Sequence, residues 1–517
     1  MRIADYLDLA AERHPEREAL VFGPVRLSYA DTRRQVHAIA RALRAESALQ
    51  GNARIAVYSG NDHRVPLVQW GANRADMTWL GVHVRNSTAT NIEVLAYLEC
   101  DALFFSRSFE AEVPALRRGL PGVKLWVCID GDSPHGPSLA HWLEGHDGEF
   151  PYAACDPLRA ACMLPTGGTT GAAKGAVHSH RSLEMQIVNL STHMDIAEGA
   201  RLLSVAPLSH AAGQIALGFL PAGGTNVILA DFHADEFLRT CSAERITHLF
   251  VPPTILYSLL LSPLAKTLDL SSLRGIFVGA APVSPEKFKE AVALFGPVIY
   301  EMYAQTETLI PVLIKRPGDY LRADGSFDEE VLRTSGRPPA LVRVGILDDD
   351  GRPLPRGAAG EIAVRAAMGM SGYHKLPEAT EEAARHGWHH TGDVGVMDER
   401  GFVTLVDRKK DMIITGGFNV YPNEVEGVLN THAAVLECIV IGVPDPKWGE
   451  AVKGLVRLKP GAESDEAELI ALCRDRLGPV KAPKSIEFWP DLPRSAVGKL
   501  LRREARQRFW QGQWRAV

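Results

Sequence analysis

The stretch Thr166-Gly167-Gly168-Thr169-Thr170-Gly171-Ala172-Ala173-Lys174-Gly175 follows the apolar run Ala160-Ala161-Cys162-Met163-Leu164 and holds four glycines, three threonines and one lysine. A strand entering such a turn lets backbone N–H groups converge on a polyphosphate, because glycine has no Cβ to keep the anion away. The threonine hydroxyls add donors, and Lys174 adds a point charge. The spacing is not that of a Walker A loop, whose lysine directly follows its second glycine. Here Ala172 and Ala173 separate Gly171 from Lys174. Composition alone leaves a solvated linker equally open. Residues further along the chain must decide.

A chain of 517 residues exceeds what one core holds and should divide into two or more domains. Hydrophobic residues make up 46% and charged residues 23%, ordinary values for a soluble globular protein. A net charge of −6 gives no electrostatic case for nucleic acid or an anionic membrane as a bulk partner. Seven scattered cysteines without a Cys-x-x-Cys pair suit a reducing cytoplasm and argue against a zinc site. Met1 to Leu7 lacks the apolar core of a secretory signal. Leu202 to Ala230 carries no Asp, Glu, Lys or Arg, but Pro207, His210, Gln214, Pro221, Gly223 and Asn226 interrupt it. It reads as buried strand, helix, turn and strand, and a membrane span is rejected.

Strand-like runs at Arg54–Ser59, Lys124–Ile129, Ile246–Val251 and Gly275–Gly279 alternate with helical spacing, as over Arg33 to Leu49. That alternation predicts an α/β architecture with largely parallel, buried sheets. Leu341 to Val364 shows period-two alternation about an Asp-Gly turn, which predicts antiparallel strands. The charged run Asp407-Arg408-Lys409-Lys410-Asp411 is a boundary candidate, although such runs are also common exposed turns.

Four further strings carry candidate chemistry. In Tyr303-Ala304-Gln305-Thr306-Glu307 an aromatic face can stack on a purine, a hydroxyl can reach a phosphate, and a carboxylate is a hard Mg²⁺ ligand. The plain alternative is a strand end followed by a helix cap. His389-His390-Thr391-Gly392-Asp393 pairs two histidines, but neighbouring residues point apart and no third ligand is placed by spacing, so metal is disfavoured. His210 stands in an apolar stretch, where a satisfied core histidine is the common case. Pro493 to Lys499 precedes Leu500-Leu501-Arg502-Arg503, which by itself is a basic helix.

Taken in order, these strings resemble the motifs of the adenylate-forming acyl/aryl-CoA synthetases, relatives of firefly-type luciferases and peptide-synthetase adenylation domains. Ala173 replaces the phosphate loop's usual proline, Ala304 a glycine, and Ser209 and His389 aromatic residues. The resemblance implies a large N-terminal α/β domain of stacked sheets and helices with a β-barrel-like subdomain, residues 1–409. A small α+β domain, 410–517, would follow on a hinge at Lys410. It implies ATP, Mg²⁺ and CoA as co-substrates and cofactor. ATP would be bound by Thr166, Gly167, Gly168, Thr169, Thr170, Gly171, Lys174, Gly279, Ala280, Ala281, Tyr303, Thr306, Asp393, Arg408 and Lys499. Glu307 would hold magnesium; Lys499, His210 and Thr306 would be the catalytic set; Gly416, Gly417 and Trp448 would meet CoA. Val480 departs from an aromatic often found near the nucleotide end of CoA.

The acyl pocket would draw on His210, Ala211, Gly213, Phe277, Met302 and Ile310, which favours a hydrophobic carboxylate. The implied reaction is carboxylate–CoA ligation through an acyl-adenylate. A carrier-protein thiol as acceptor, and last a non-catalytic binding relative, are the alternatives; the presence of both Lys499 and Glu307 speaks against the last. The Pro493–Lys499 string also resembles a target of lysine acetyltransferases. The oligomeric state, including a homo-oligomer, is left open.

Overall fold

The computed structural model describes residues 1–49, 51–152, 155–166, 174–408, 411–415, 418–494 and 500–510, the side chains of Arg408 and Asn419 excepted. The chain divides into two compact units, Met1–Val344 with Val364–His389 and Gly345–Ala363 with His390–Val517. The hinge expected from sequence lies later, at Lys410, which falls outside the described residues. The units divide earlier because His389–Met397 pairs with Val403–Arg408 and neighbours Ala359–Ala366 in one sheet.

The first unit holds two sheets. One has the strand order Leu309–Lys315, Ile299–Gln305, Gly275–Val278, His248–Val251, Arg201–Ser204, Thr225–Ile228, Glu18–Phe22 and Val25–Ser28. Its inner pairings are parallel and only its two outermost are antiparallel. The other runs Gly372–Tyr373, Lys174–Ser179, Ala160–Thr166, Thr78–Leu80, Arg54–Tyr58, Ala102–Phe105 and Leu125–Cys128. Thr225–Ile228, His248–Val251 and Gly275–Val278 are buried at every position, the signature of parallel strands covered on both faces.

The first long helix begins four residues before the sequence expectation, spanning Tyr29–Ala45, because Ser28 and Asp31 form a capping box. The uncharged stretch resolves as Arg201–Ser204, helix Ala211–Leu217, a short 3₁₀ turn and Thr225–Ile228. Among the described residues no helix is long and apolar enough to cross a membrane. All seven cysteines are free thiols.

The second unit is built on a four-stranded sheet ordered Val342–Leu347, Ala359–Ala366, His389–Met397 and Val403–Arg408, whose first, second and third strands extend into the first unit's residues. Where a barrel-like subdomain was expected, the described residues form this open order. A second sheet runs Phe418–Val420, Ile413–Thr415, Gly449–Leu458 and Val435–Asp445, with Ser485–Phe488 beside Gly449–Leu458. Val440, Val452, Val456, Leu469 and Cys473 fill the core between this sheet and the helix Glu466–Lys481. That helix breaks at Gly478, whose φ of +80° is left-handed, just before Pro479.

Candidate active site

In the first unit the glycine-rich stretch is the connection of an antiparallel hairpin. Thr166 and Lys174 face each other in register at the ends of Ala160–Thr166 and Lys174–Ser179. Gly167, Gly168, Thr169, Thr170 and Gly171 lie outside the described residues. The paired stems fix where both ends of that stretch start, at the end of a buried sheet.

Lys174 does not stand alone there. Its Nζ lies 4.8 Å from the centre of the Tyr373 ring, a cation–π contact. The Tyr373 hydroxyl donates to Glu307 Oε1 at 2.8 Å. Burial, followed by the charge of Glu307, raises the Tyr373 pKa, so the phenol stays protonated and remains a donor. Tyr373 is fixed by its pairing with Ala176, and the Glu307 carbonyl accepts from Met370 N at 2.7 Å. Thus the lysine of one hairpin and the carboxylate of another share one tyrosine. The sequence reading missed Tyr373; its only signal was a lone Gly-Tyr pair ahead of Pro377.

Glu307 and Thr306 sit in a tight turn between the strands Ile299–Gln305 and Leu309–Lys315, not at a helix cap. The turn is closed by Thr308 N donating to Gln305 O at 3.1 Å. Beneath it, His178 Nε2 meets the Thr306 carbonyl at 2.8 Å, which makes Nε2 the protonated nitrogen. Burial pushes the His178 pKa down to about 4, partly offset by that carbonyl, so the ring is a neutral prop. Tyr303 and Thr306 remain partly exposed, as substrate contact requires.

Gly279 has no room for a side chain to spare, since a Cβ there would approach Met302 O to 3.2 Å. Ala280 follows with φ +71°, a left-handed conformation costly for a residue with a Cβ, by about 1–3 kcal/mol. It and Ala281 are exposed at the end of the strand Gly275–Val278. Such strain persists where the surroundings dictate the backbone, and it holds these residues beside the Tyr303 strand.

His210 precedes the helix Ala211–Leu217, and its Nδ1 lies 2.8 Å from Ser209 Oγ. Its ring centre is 4.9 Å from that of His83, a residue the sequence reading did not single out. Burial and then His83 push the His210 pKa down to about 4, so both rings share the site as neutral imidazoles near pH 7. Gly213 is required by close approach, because a Cβ would fall 1.9 Å from Leu208 O. It lines a cavity of about 20 Å³ with Leu208, Gln214 and Trp79. Met302 and Ile310 are buried. Phe277 is a fully buried core ring packed between His248 and Tyr300, at 5.4 and 5.3 Å.

In the second unit Asp393 faces Arg408 in register across the pair His389–Met397 and Val403–Arg408. Gly392, with φ +69°, donates its N–H to Glu361 Oε1 at 3.0 Å, and Asp393 N donates to Thr391 Oγ1 at 3.1 Å. His390 Nδ1 lies 3.1 Å from Glu361 Oε2. Among the described residues the one cluster of metal-ligating types is Asp76, Cys155 and His180, and Arg2 already holds Asp76 at 2.9 Å.

Gly449, directly after Trp448, pairs with Thr415, directly before Gly416. Gly416, Gly417 and Lys499 lie outside the described residues. Ile414, Phe418 and Trp448, at 46%, 61% and 43% exposure, leave this edge of the second sheet unusually apolar.

The AMP-binding enzyme family profile matches residues 7–374, and that of the AMP-binding enzyme C-terminal domain matches residues 424–499. The chain is 34% identical over 525 residues to the medium/long-chain-fatty-acid–CoA ligase FadD8 of Mycobacterium tuberculosis (strain ATCC 25618 / H37Rv), covering 98% of this chain and 90% of the relative. It is 34% identical over 502 residues to a feruloyl-CoA synthase of Amycolatopsis sp, covering 96% and 97%. Among solved structures it is similar to the amide bond synthetase McbA of Marinactinospora thermotolerans, with TM-score 0.89 and 31% identity over 98% of this chain and 100% of that one.

Because His178 is neutral when folded but ordinary when unfolded, its burial contributes stability that is present above about pH 6.5 and lost as pH falls toward 4. The loss is on the order of 3 kcal/mol. His178→Gln keeps a donor for the Thr306 carbonyl and removes the titration. The gap between melting temperatures at pH 7.5 and pH 5 should shrink in this variant. An unchanged gap would assign the acid sensitivity to His180, His210 and His248, which burial shifts alike.

Proposed function

This chain belongs to the AMP-binding enzyme family of adenylate-forming enzymes, and from that premise we propose that it is an ATP-dependent carboxylate–CoA ligase acting on a hydrophobic acyl or aryl acid. The observation that carries the reading is the shared Tyr373, which gathers Lys174 and Glu307 at the mouth of the glycine-rich hairpin. That juxtaposition is what a triphosphate needs: a cation for its oxygens and a carboxylate for its counter-ion. The fatty-acid and feruloyl specificities of the relatives support an apolar acid, and so do buried Met302 and Ile310.

Glu307 fits a magnesium ion, because Tyr373 occupies one of its oxygens and orients the other. When bound, the ion offsets phosphate charge. In the first step the carboxylate attacks the α-phosphorus of ATP and pyrophosphate leaves. Thr306 reaches the α-phosphate, Tyr303 stacks on adenine, and Asp393 with Arg408 holds the ribose. Two anions meet in this step, so Lys499 supplies the cation that stabilises the centre. Neutral His210 and His83 admit the carboxylate without trapping it as an ion pair.

In the second step the small domain turns about Lys410, withdraws Lys499 and brings Gly416, Gly417 and Trp448 to the pantetheine arm. The thiol attacks the acyl carbon and AMP leaves. Free thiols, ATP and CoA together suit the cytoplasm. Lys499 doubles as a target for an acetyltransferase, since acetylation removes the charge the first step needs.

Pyrophosphate exchange across a panel of carboxylates tests the first step, and CoA-thioester yield tests the acceptor. Adenylate formation that consumes an amine or a carrier-protein thiol in place of CoA would replace the acceptor and keep the rest. Lys499→Ala should slow adenylation by about 10²–10³ while sparing thioester formation from supplied acyl-adenylate. Equal losses would refute a role confined to the first step. Lys410→Pro should do the reverse, with a normal pyrophosphate burst and depressed thioester turnover, because a fixed φ restricts the swing. Tyr373→Phe should raise the Mg²⁺ concentration for half-maximal rate by about tenfold. An unaltered magnesium titration would show that the hydroxyl does not orient Glu307.

A further inference from the structure

His210 makes one hydrogen bond through its ring, and the direction of that bond decides what the ring can do. The pair is Nδ1 and Ser209 Oγ, 2.8 Å apart. Either Ser209 donates and Nε2 keeps the ring proton, or Nδ1 donates and Nε2 is a bare acceptor. Among the described residues neither Ser209 Oγ nor His210 Nε2 has another hydrogen-bond partner. The first arrangement therefore leaves one group without a protein partner, the Nε2 proton. The second leaves two, the hydroxyl proton and the Nε2 lone pair. Matching donors to acceptors favours the first.

The backbone around the pair is fixed. Asn61 Nδ2 donates to Val205 O at 2.9 Å and to Ala206 O and Leu229 O, each at 3.2 Å. Its Oδ1 accepts from Leu208 N at 3.0 Å. His210 N donates to Pro207 O and Gln214 N to His210 O, both at 3.1 Å. His210 stands at the N-cap of Ala211–Leu217 but makes no cap bond with its side chain, so the ring is left to Ser209. His83 packs against the ring, with centres 4.9 Å apart and planes tilted by 56°. Frame, neighbour and one directed bond together give the ring a single orientation.

We propose that Ser209 is a positioning residue: its hydroxyl donates to His210 Nδ1, fixes the ring as the Nε2–H tautomer and aims that donor at a carboxylate oxygen of the acid. What the donor meets rests on the ligase reading above; the tautomer does not. The departure of this chain from the related motif gives the reason. Where that motif carries an aromatic residue, this chain has Ser209, and Phe or Trp would have no hydroxyl to offer Nδ1. A neutral ring with its proton on Nε2 holds an anionic oxygen by one directed, charge-assisted bond. The opposite tautomer would turn a lone pair toward the same oxygen and repel it.

The test uses the full chain with isotope-labelled histidine and nitrogen NMR, in wild type, Ser209→Ala, Ser209→Thr and His210→Gln, the last identifying the His210 signals by their loss. Near neutral pH the wild type should show Nε2 protonated and Nδ1 as the acceptor. Ser209→Ala should add an Nδ1–H population. In pyrophosphate exchange it should raise KM for the carboxylate about tenfold, with KM for ATP changed less than about twofold. Ser209→Thr keeps the hydroxyl and should restore both readouts. A wild-type ring protonated at Nδ1 overturns the proposal. So does a Ser209→Ala protein in which either readout is unchanged, or a loss that Ser209→Thr does not recover. A wild type that exchanges pyrophosphate with no carboxylate refutes the ligase reading, and the nitrogen spectra still decide the Ser209 bond.

Discussion

The first unit depends on one corner where two sheets are tied by side chains. His178, on a strand of the seven-stranded sheet, props the Thr306 carbonyl, and Tyr373, on that sheet's edge, holds the Glu307 carboxylate. Thr306 and Glu307 belong to a hairpin turn of the eight-stranded sheet. A turn alone would be the mobile part of such a hairpin. Here the Thr306 carbonyl and the Glu307 carboxylate are both held from the other sheet, so the turn is fixed in place. Preorganisation of this kind is what makes a charged site effective, since nothing must reorient as charge moves.

The second unit solves a different problem with charge. Asp407, Asp411 and Glu426 are gathered about one guanidinium, and Arg502 offsets their mutual repulsion. Ile414, Phe418 and Trp448 leave apolar area uncovered in the same unit.

Histidine chemistry recurs in both halves of the first unit's site. His178 and His210 are kept neutral by burial, not by partners that would charge them. Burial without a counter-charge makes the neutral ring the cheaper form at both positions.

Much was legible without coordinates. Continuous apolar runs at His248–Val251 and Gly275–Val278 announced buried parallel strands, because strands covered on both faces need no polar alternation. The strand entering the glycine-rich turn was legible too, whereas the pairing of Thr166 with Lys174 and of Asp393 with Arg408 appeared only in the structure. What the sequence could not show was contact between distant segments. Tyr373 meets Glu307 across 66 residues, His178 meets Thr306 across 128, and His83 meets His210 although neither string hints at the other. Phe277, expected at the acyl wall, is a fully buried ring against His248 and Tyr300, neighbours that only the layered sheet sets. By itself the sequence determined the chemistry, through residue types at short fixed spacings. Only the tertiary structure decided which far residues orient that chemistry, because chain folding sets those distances and local propensity does not.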